Sequence, residues 1–403
     1  MSHSKKKIEG KIFIGVFLVT LISGIIAMPN YGPGDVSPEL LYEALGGTQN
    51  REIAREIRDV FFEEKKVEHD SLRGIYITAS TAASPHFKEI IDALIQSGGN
   101  AVVIDVEVSG GRLAFIPESE YLASINPGDP LLSNLKTIIK ELHDKDIYVI
   151  ARQVIFNDPY TAARKPEWRI RYTWGDLFDG RWMDPSHPEA QDYNLLITRE
   201  VAEMGFDEIQ YDYIRFPDEY HHNLDYHYDE TQQERWEIIN NFLARAKAVT
   251  EEYDVKLSVD VFGAAVWGNI DWTLVGQNIS EIAKNVDAIY PMTYPSHVSP
   301  GYYGFTNPYG DPYTFIRESI KRFEEEAAGN AEIRTWVQGF PLRIPNFGSW
   351  FVKEQVRGTY DAGARDFIIW SPGNKYSVSW SSLGMLPPEP VNNPPTDAEA
   401  VLE

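Results

Sequence analysis

The chain contains no cysteine. That excludes disulfides, thiolate nucleophiles, cysteine-ligated zinc and iron–sulfur clusters. Basic residues are scarce: 37 Lys and Arg stand against 60 Asp and Glu, a net charge of −23. Such a surface repels phosphate backbones and offers no basic patch, so nucleic acid is not an expected partner. Long apolar runs are also missing, with one exception. Residues 12–28 are apolar and follow Lys5, Lys6, Lys7 and Lys11. Basic residues, an apolar run and then polar chain form the layout of an export signal or a membrane anchor. Residues 1–28 are therefore expected to act as a signal peptide or anchor. The remainder is expected to be extracytoplasmic, either secreted or held on the outer face of the cytoplasmic membrane through residues 12–28.

Aromatic residues are plentiful, at 13% of the chain with 10 Trp and 22 Tyr, within a hydrophobic fraction of 43%. Residues 29–70 open with Pro29, Pro33 and Pro38, then turn charged and helical; they read as a linker or extension. Residues 386–403 read as an acidic, proline-rich tail. Between them, residues 71–385 alternate short β-branched runs with amphipathic stretches. The strands expected are Gly74–Thr78, Ala101–Val106, Tyr148–Val154, Glu208–Asp212, Lys256–Phe262, Ala288–Met292, Thr335–Gly339 and Asp366–Trp370. Eight apolar strands alternating with helices predict an α/β protein, a closed (β/α)8 barrel with its parallel strands buried on both faces. An open doubly wound sheet usually shows a glycine-rich turn after its first strand; here Ile77-Thr78-Ala79-Ser80 follows.

Barrel chemistry sits at the C-terminal ends of the strands. Read in order, those ends supply Asp105 and Glu107, Arg152, Asp212 with Arg215 just beyond, Asp260, Tyr294 and His297, Gln338, and Trp370. Four carboxylates on three strands suit glycosidic cleavage, which needs one carboxylic acid to protonate the leaving oxygen and a second carboxylate as nucleophile or base. Asp212, Asp260 and Glu107 are the catalytic candidates. Asp105, Arg152, Arg215, Tyr294, His297, Gln338 and Trp370 are the substrate-binding candidates. Arg215, three residues after Asp212, is expected to keep that carboxylate ionised. Asp207 and Glu208 open strand 4, away from the rim, and are expected to form structural ion pairs. His221, His222 and His227 lack a fixed ligand framework and read as a solvated loop, so no metal site and no cofactor are expected. A Schiff-base lysine at a strand end and a His-x-His on the first strand are both absent, which disfavours aldolase and metal-dependent amidohydrolase chemistry.

The run GFDEIQYDYIRFP resembles the signature of a bacterial glycosyl hydrolase domain family, formerly classed as a domain of unknown function. RGIYIT, NAVVIDVE, IARQVIFNDP, WMDPSHPEAQDYN, LSVDVFG, YPMTYPSH and FIIWSPGN support the resemblance, which covers about Leu72 to Trp380. It implies a barrel distantly similar to alpha-amylases, whose strand-4 aspartate nucleophile would fall on Asp212. The amylase-type acid is a strand-5 glutamate; Asp260 stands on that strand instead. The chitinase pattern Asp-x-x-Asp-x-Asp-x-Glu maps onto Asp207, Gln210, Asp212 and Ile214, so its catalytic glutamate is absent. The function implied is hydrolysis of a cell-surface or environmental polysaccharide by a carboxylate pair. The alternative is a catalytically silent, glycan-binding barrel of the cell envelope.

Overall fold

A computed structural model describes residues 67–387, apart from 109, 219–222, 228–232 and 269–271. The chain divides into two compact units, Met1–Lys65 and Lys66–Glu403, and the described residues all belong to the second. The expected signal or anchor, most of the 29–70 extension, His221, His222 and nearly all of the tail lie outside the described residues. Among the described residues, no helix is long and apolar enough to cross a membrane.

The second unit is an eight-stranded parallel closed barrel with helices outside it. Its strands are β1 (Arg73–Ile77), β2 (Ala101–Asp105), β3 (Tyr148–Val154), β4 (Glu208–Asp212), β5 (Lys256–Phe262), β6 (Ala288–Met292), β7 (Glu332–Gln338) and β8 (Asp366–Trp370). Each pairs with its sequence neighbours, and β8 closes on β1 through Arg73↔Phe367, Gly74↔Ile368 and Ile75↔Ile369. The expected strands differ from these mainly at two edges. Thr78 does not extend β1, because its side chain caps the helix Ala79–Ala82 by accepting from the Thr81 backbone N–H at 3.2 Å. β7 begins three residues earlier than expected, at Glu332, because charged Glu332 and Arg334 mask its start.

Two cores result from the alternation of side chains along the strands. Outward-facing residues such as Val102, Ile104, Val149, Ile209 and Val259 pack under the helices; Leu135, Ile138, Ile139 and Leu142 of helix Leu135–His143 supply one such apolar stripe. Inward-facing Tyr76, Val103, Tyr148, Ile150, Tyr290, Trp336 and Ile368 fill the barrel, with Val67 and Leu72 in the same cluster.

The loops after β2, β3 and β4 are the elaborate ones. After β2, Glu107–Val108 pairs antiparallel with Arg112–Leu113. Gly111 is required in that hairpin: its φ is left-handed, at +92°, and a Cβ there would fall 1.8 Å from Asp158 Oδ1. After β3, the chain makes a long excursion whose Arg171–Tyr172 segment pairs with Leu224–Asp225 from the loop after β4.

Candidate active site

Alternation along β3 points Tyr148, Ile150 and Arg152 toward the barrel axis. Arg152 ends that row near the C-terminal rim, where Asp105 of β2 is its direct register partner. Its Nη1 donates to Asp105 Oδ1 at 2.8 Å, and its Nη2 donates to Asp212 Oδ2 at 2.5 Å. The same Asp212 oxygen accepts from Nε at 3.2 Å, and Asp260 Oδ2 lies 4.0 Å from Nε. One guanidinium thus gathers carboxyls from β2, β4 and β5. All four side chains are largely buried, which strengthens their mutual electrostatics.

The three carboxyls are held differently. Asp105 accepts from the Tyr76 hydroxyl at 2.5 Å as well as from Arg152. Burial nonetheless raises its pKa, with Arg152 and the Tyr76 bond opposing the rise. Asp212 accepts from the Tyr213 backbone N–H at 2.7 Å through its other oxygen. Tyr213 sits in the left-handed region at φ 54°, a strained conformation for a bulky residue and one that tends to mark functional positions. Asp260 accepts from Trp336 Nε1 at 2.6 Å through Oδ1. Burial first, and the Asp212 charge second, push its pKa well above the carboxylate range, against the opposing pull of Arg152 and Trp336. Asp260 therefore stays protonated where an ordinary aspartate would not.

Aromatic rings wall this cluster. Trp370 stacks on Tyr76 at 3.9 Å between centroids and meets Trp336 edge-on at 5.4 Å. The Arg152 guanidinium carbon lies 5.4 Å from the Trp370 ring centre, a cation–π contact. Tyr294 is buried and packs edge-on against His297, which is exposed.

Three expected site residues take other places. Arg215 does not bond Asp212: its Nη1 donates to Phe216 O at 2.9 Å and to Asp218 at 3.3 Å, and its guanidinium carbon lies 4.2 Å from the Phe262 ring centre. The ion-pairing expected of it belongs to Arg152. Gln338 is engaged within the protein. Its Oε1 accepts from Ser296 N, and its Nε2 donates to Phe340 O and Leu342 O, so the amide ties loops together. Glu107 is 2% exposed and stands apart from the Arg152 bonds, beside Asp158. Among the described residues nothing bonds its Oε1. Burial and then the Asp158 charge raise its pKa well above normal, and burial pushes Asp158 up to about 7.

Tyr76, Tyr213 and Trp336 complete the cluster but were not among the expected site residues. The first lies on a strand with no carboxylate, and the last reads as packing; their hydrogen bonds become visible only with the register. Asp207 and Glu208 do form structural pairs, with His143 at 2.9 Å and Arg334 at 2.5 Å. His227 packs its ring 5.2 Å from that of His187. Among the described residues, no group of three His, Asp or Glu converges to hold a metal ion.

Residues 74–376 match the family described as "putative glycosyl hydrolase domain". The chain belongs to that family. Its barrel is thereby of the glycosyl hydrolase type, a glycan-acting class. No curated protein matches it. Among solved structures it is similar to a hypothetical protein from Ruminiclostridium thermocellum ATCC 27405, at 31% identity over 47% of this chain and 97% of that one, TM-score 0.43. The PgaB (BpsB) glycoside hydrolase domain from Bordetella bronchiseptica aligns at 13% identity over 75% and 95% of the chains, TM-score 0.57. The catalytic domain of a beta-amylase from Paenibacillus polymyxa aligns at 10% over 77% and 95%, TM-score 0.52. At these identities the last two establish the shared barrel.

Proposed function

We propose that this protein hydrolyses glycosidic bonds of a cell-surface or environmental polysaccharide, with Asp212 and Asp260 as the reacting pair. One observation carries the reading: a single buried guanidinium pairs with Asp105 and Asp212, while Asp260, 4.0 Å from it, is kept protonated by burial. A carboxyl that keeps its proton, beside a second carboxyl held by an arginine, suits a cleavage that needs one group to protonate the leaving oxygen and another to attack or to take a proton. Asp260 gives its proton to the departing glycosidic oxygen. Asp212, ion-paired to Arg152, either attacks the anomeric carbon or takes a proton from the attacking water. Trp370, half-buried beside Arg152, provides a ring for sugar stacking. The basic residues before the apolar 12–28 run support a location outside the cytoplasmic membrane.

The test is reducing-sugar release by the full chain from a panel of polysaccharides, followed by Asp260→Asn on the substrate found. A proton donor matters most when the leaving group is poor. Asp260→Asn should therefore lower turnover roughly a hundredfold or more on the natural linkage and far less on an aryl glycoside with a good leaving group. Equal losses on both substrates would remove Asp260 from the donor role. A silent glycan-binding barrel is the second reading, favoured by the depth of Asp260, which is only 2% exposed. Glycan binding without any reducing-sugar release would establish it.

A further inference from the structure

The excursion after β3 carries an aromatic pair with no role in the Arg152 cluster. Trp174 is 60% exposed, although tryptophan is the side chain that gains most from leaving water. It stacks on Tyr172 with centroids 4.4 Å apart and planes only 6° from parallel. Tyr172 in turn meets the buried Phe178 edge-on at 5.7 Å, which roots the pair in the core.

The turn that presents Trp174 is fixed from several sides. Gly175 N bonds Tyr172 O at 2.8 Å, and Tyr172 N bonds Asp176 O at 2.7 Å. Gly175 itself takes φ +95°, which a side chain would resist. Arg171 braces the turn by donating to Gly175 O at 3.3 Å and Pro166 O at 3.2 Å. Trp174 Nε1 donates to Asp176 Oδ2 at 2.9 Å, so the indole is held in its plane as well as in its place. Thr173 N bonds Asn223 O at 2.8 Å, tying the turn to the loop after β4. The platform is thus built from the loops of the two strands that carry Arg152 and Asp212, at the end of the barrel where the chemistry lies.

A rigid, exposed, flat aromatic surface loses little conformational freedom when a ligand settles on it. The apolar face of a pyranose ring matches it in shape and polarity, with ring hydroxyls left outward in water. The net charge of −23 disfavours an acidic polymer. We propose that the Tyr172–Trp174 stack is a sugar-stacking subsite that holds a neutral polysaccharide at a distance from the cleavage point. This rests on the glycan-hydrolysing reading for its ligand class, and it extends that reading from the reacting bond to the polymer.

The test separates the two claims by working in the Asp212→Asn background, where turnover does not interfere with binding. The full chain carrying Asp212→Asn is run in affinity electrophoresis through gels containing neutral glucan, mannan or xylan, with an acidic uronan as control. Its retention by a neutral polymer should weaken roughly tenfold on adding Trp174→Ala, and Trp174→Phe should keep most of it. The melting temperature should be unchanged by either substitution at this exposed position. Trp174-dependent retention in a protein whose wild type hydrolyses nothing would sustain the subsite and sink the hydrolase. Hydrolysis with retention that ignores Trp174 would do the reverse. No Trp174-dependent retention by any polymer in the panel, or retention of the uronan alone, overturns the proposal.

Discussion

The barrel has a buried arginine at each end, and each is surrounded by three carboxyls. At the N-terminal end Arg334 of β7 contacts Glu208 at 2.5 Å, Glu332 at 2.5 Å and Asp366 at 3.1 Å, and donates to the Tyr290 hydroxyl at 3.1 Å. Tyr148 adds a bond to Glu208 at 2.9 Å. At the C-terminal end Arg152 bonds two of its carboxyls and leaves Asp260 at 4.0 Å. The ingredients are alike, but the lower arginine is matched by every carboxyl around it and clamps β4, β7 and β8. The upper one leaves a carboxyl that keeps its proton. A cavity of ≈ 430 Å³ lies at the lower end, lined in part by Tyr148, Lys256, Glu332, Arg334 and Asp366. Its size does not make it the reaction site, since its arginine is committed to holding strands. On the proposed function, the difference between the ends gives stability to one and chemistry to the other.

The sharpest way to break this contrast is Arg334→Met. Removing one partner from a buried ionic network leaves uncompensated charge and costs about 3–5 kcal/mol. Thermal melting should fall by roughly five to eight degrees, while the remaining folded protein keeps its turnover. An unchanged melting temperature would show that the lower end is not a clamp.

Trp370→Ala probes the upper end more gently. It removes the ring that stacks on Tyr76 and lies beside Arg152. Oligosaccharide binding, measured by calorimetry, should weaken by about 1–3 kcal/mol, the scale of burying a large apolar side chain. Unchanged binding with an intact fold would make Trp370 a packing residue.

Glu107→Gln is the smallest and the most dependent on pH. The folded-state pKa of Glu107 is raised, so its contribution to stability is fully present below the unfolded value of about 4.3 and is lost as pH rises through the folded one. The wild type should lose ground to the variant by up to about 1.4 kcal/mol per pH unit across that window. Paired denaturation curves from pH 4 to pH 8 measure it. A constant difference between the two proteins would mean that Glu107 is not held protonated.

Much of the fold was legible in the sequence because parallel strands buried on both faces read as unbroken apolar runs. AVVID and the first half of YVIARQV are of this kind. β7 was harder, because Glu332 and Arg334 place charge inside a strand. The site was legible as a set of strand ends but not as a set of contacts. Arg215 lies three residues from Asp212 in sequence, and local spacing favoured it. The true partner comes from the neighbouring strand, where β3–β4 register sets Arg152 opposite Gln210 and Val154 opposite Asp212. Lateral register is a property of the closed barrel, and one sequence does not display it. Gln338 shows the converse: a strand-end amide looks available until the loops that occupy it are in place.

Asp212→Asn tests the central claim most directly. The substitution keeps the shape of the side chain and removes the charge that faces Arg152. Turnover of the polysaccharide substrate should fall by at least roughly a thousandfold, about 4 kcal/mol of barrier, in a protein that remains folded by circular dichroism. Wild-type turnover by a folded Asp212→Asn protein would contradict the account.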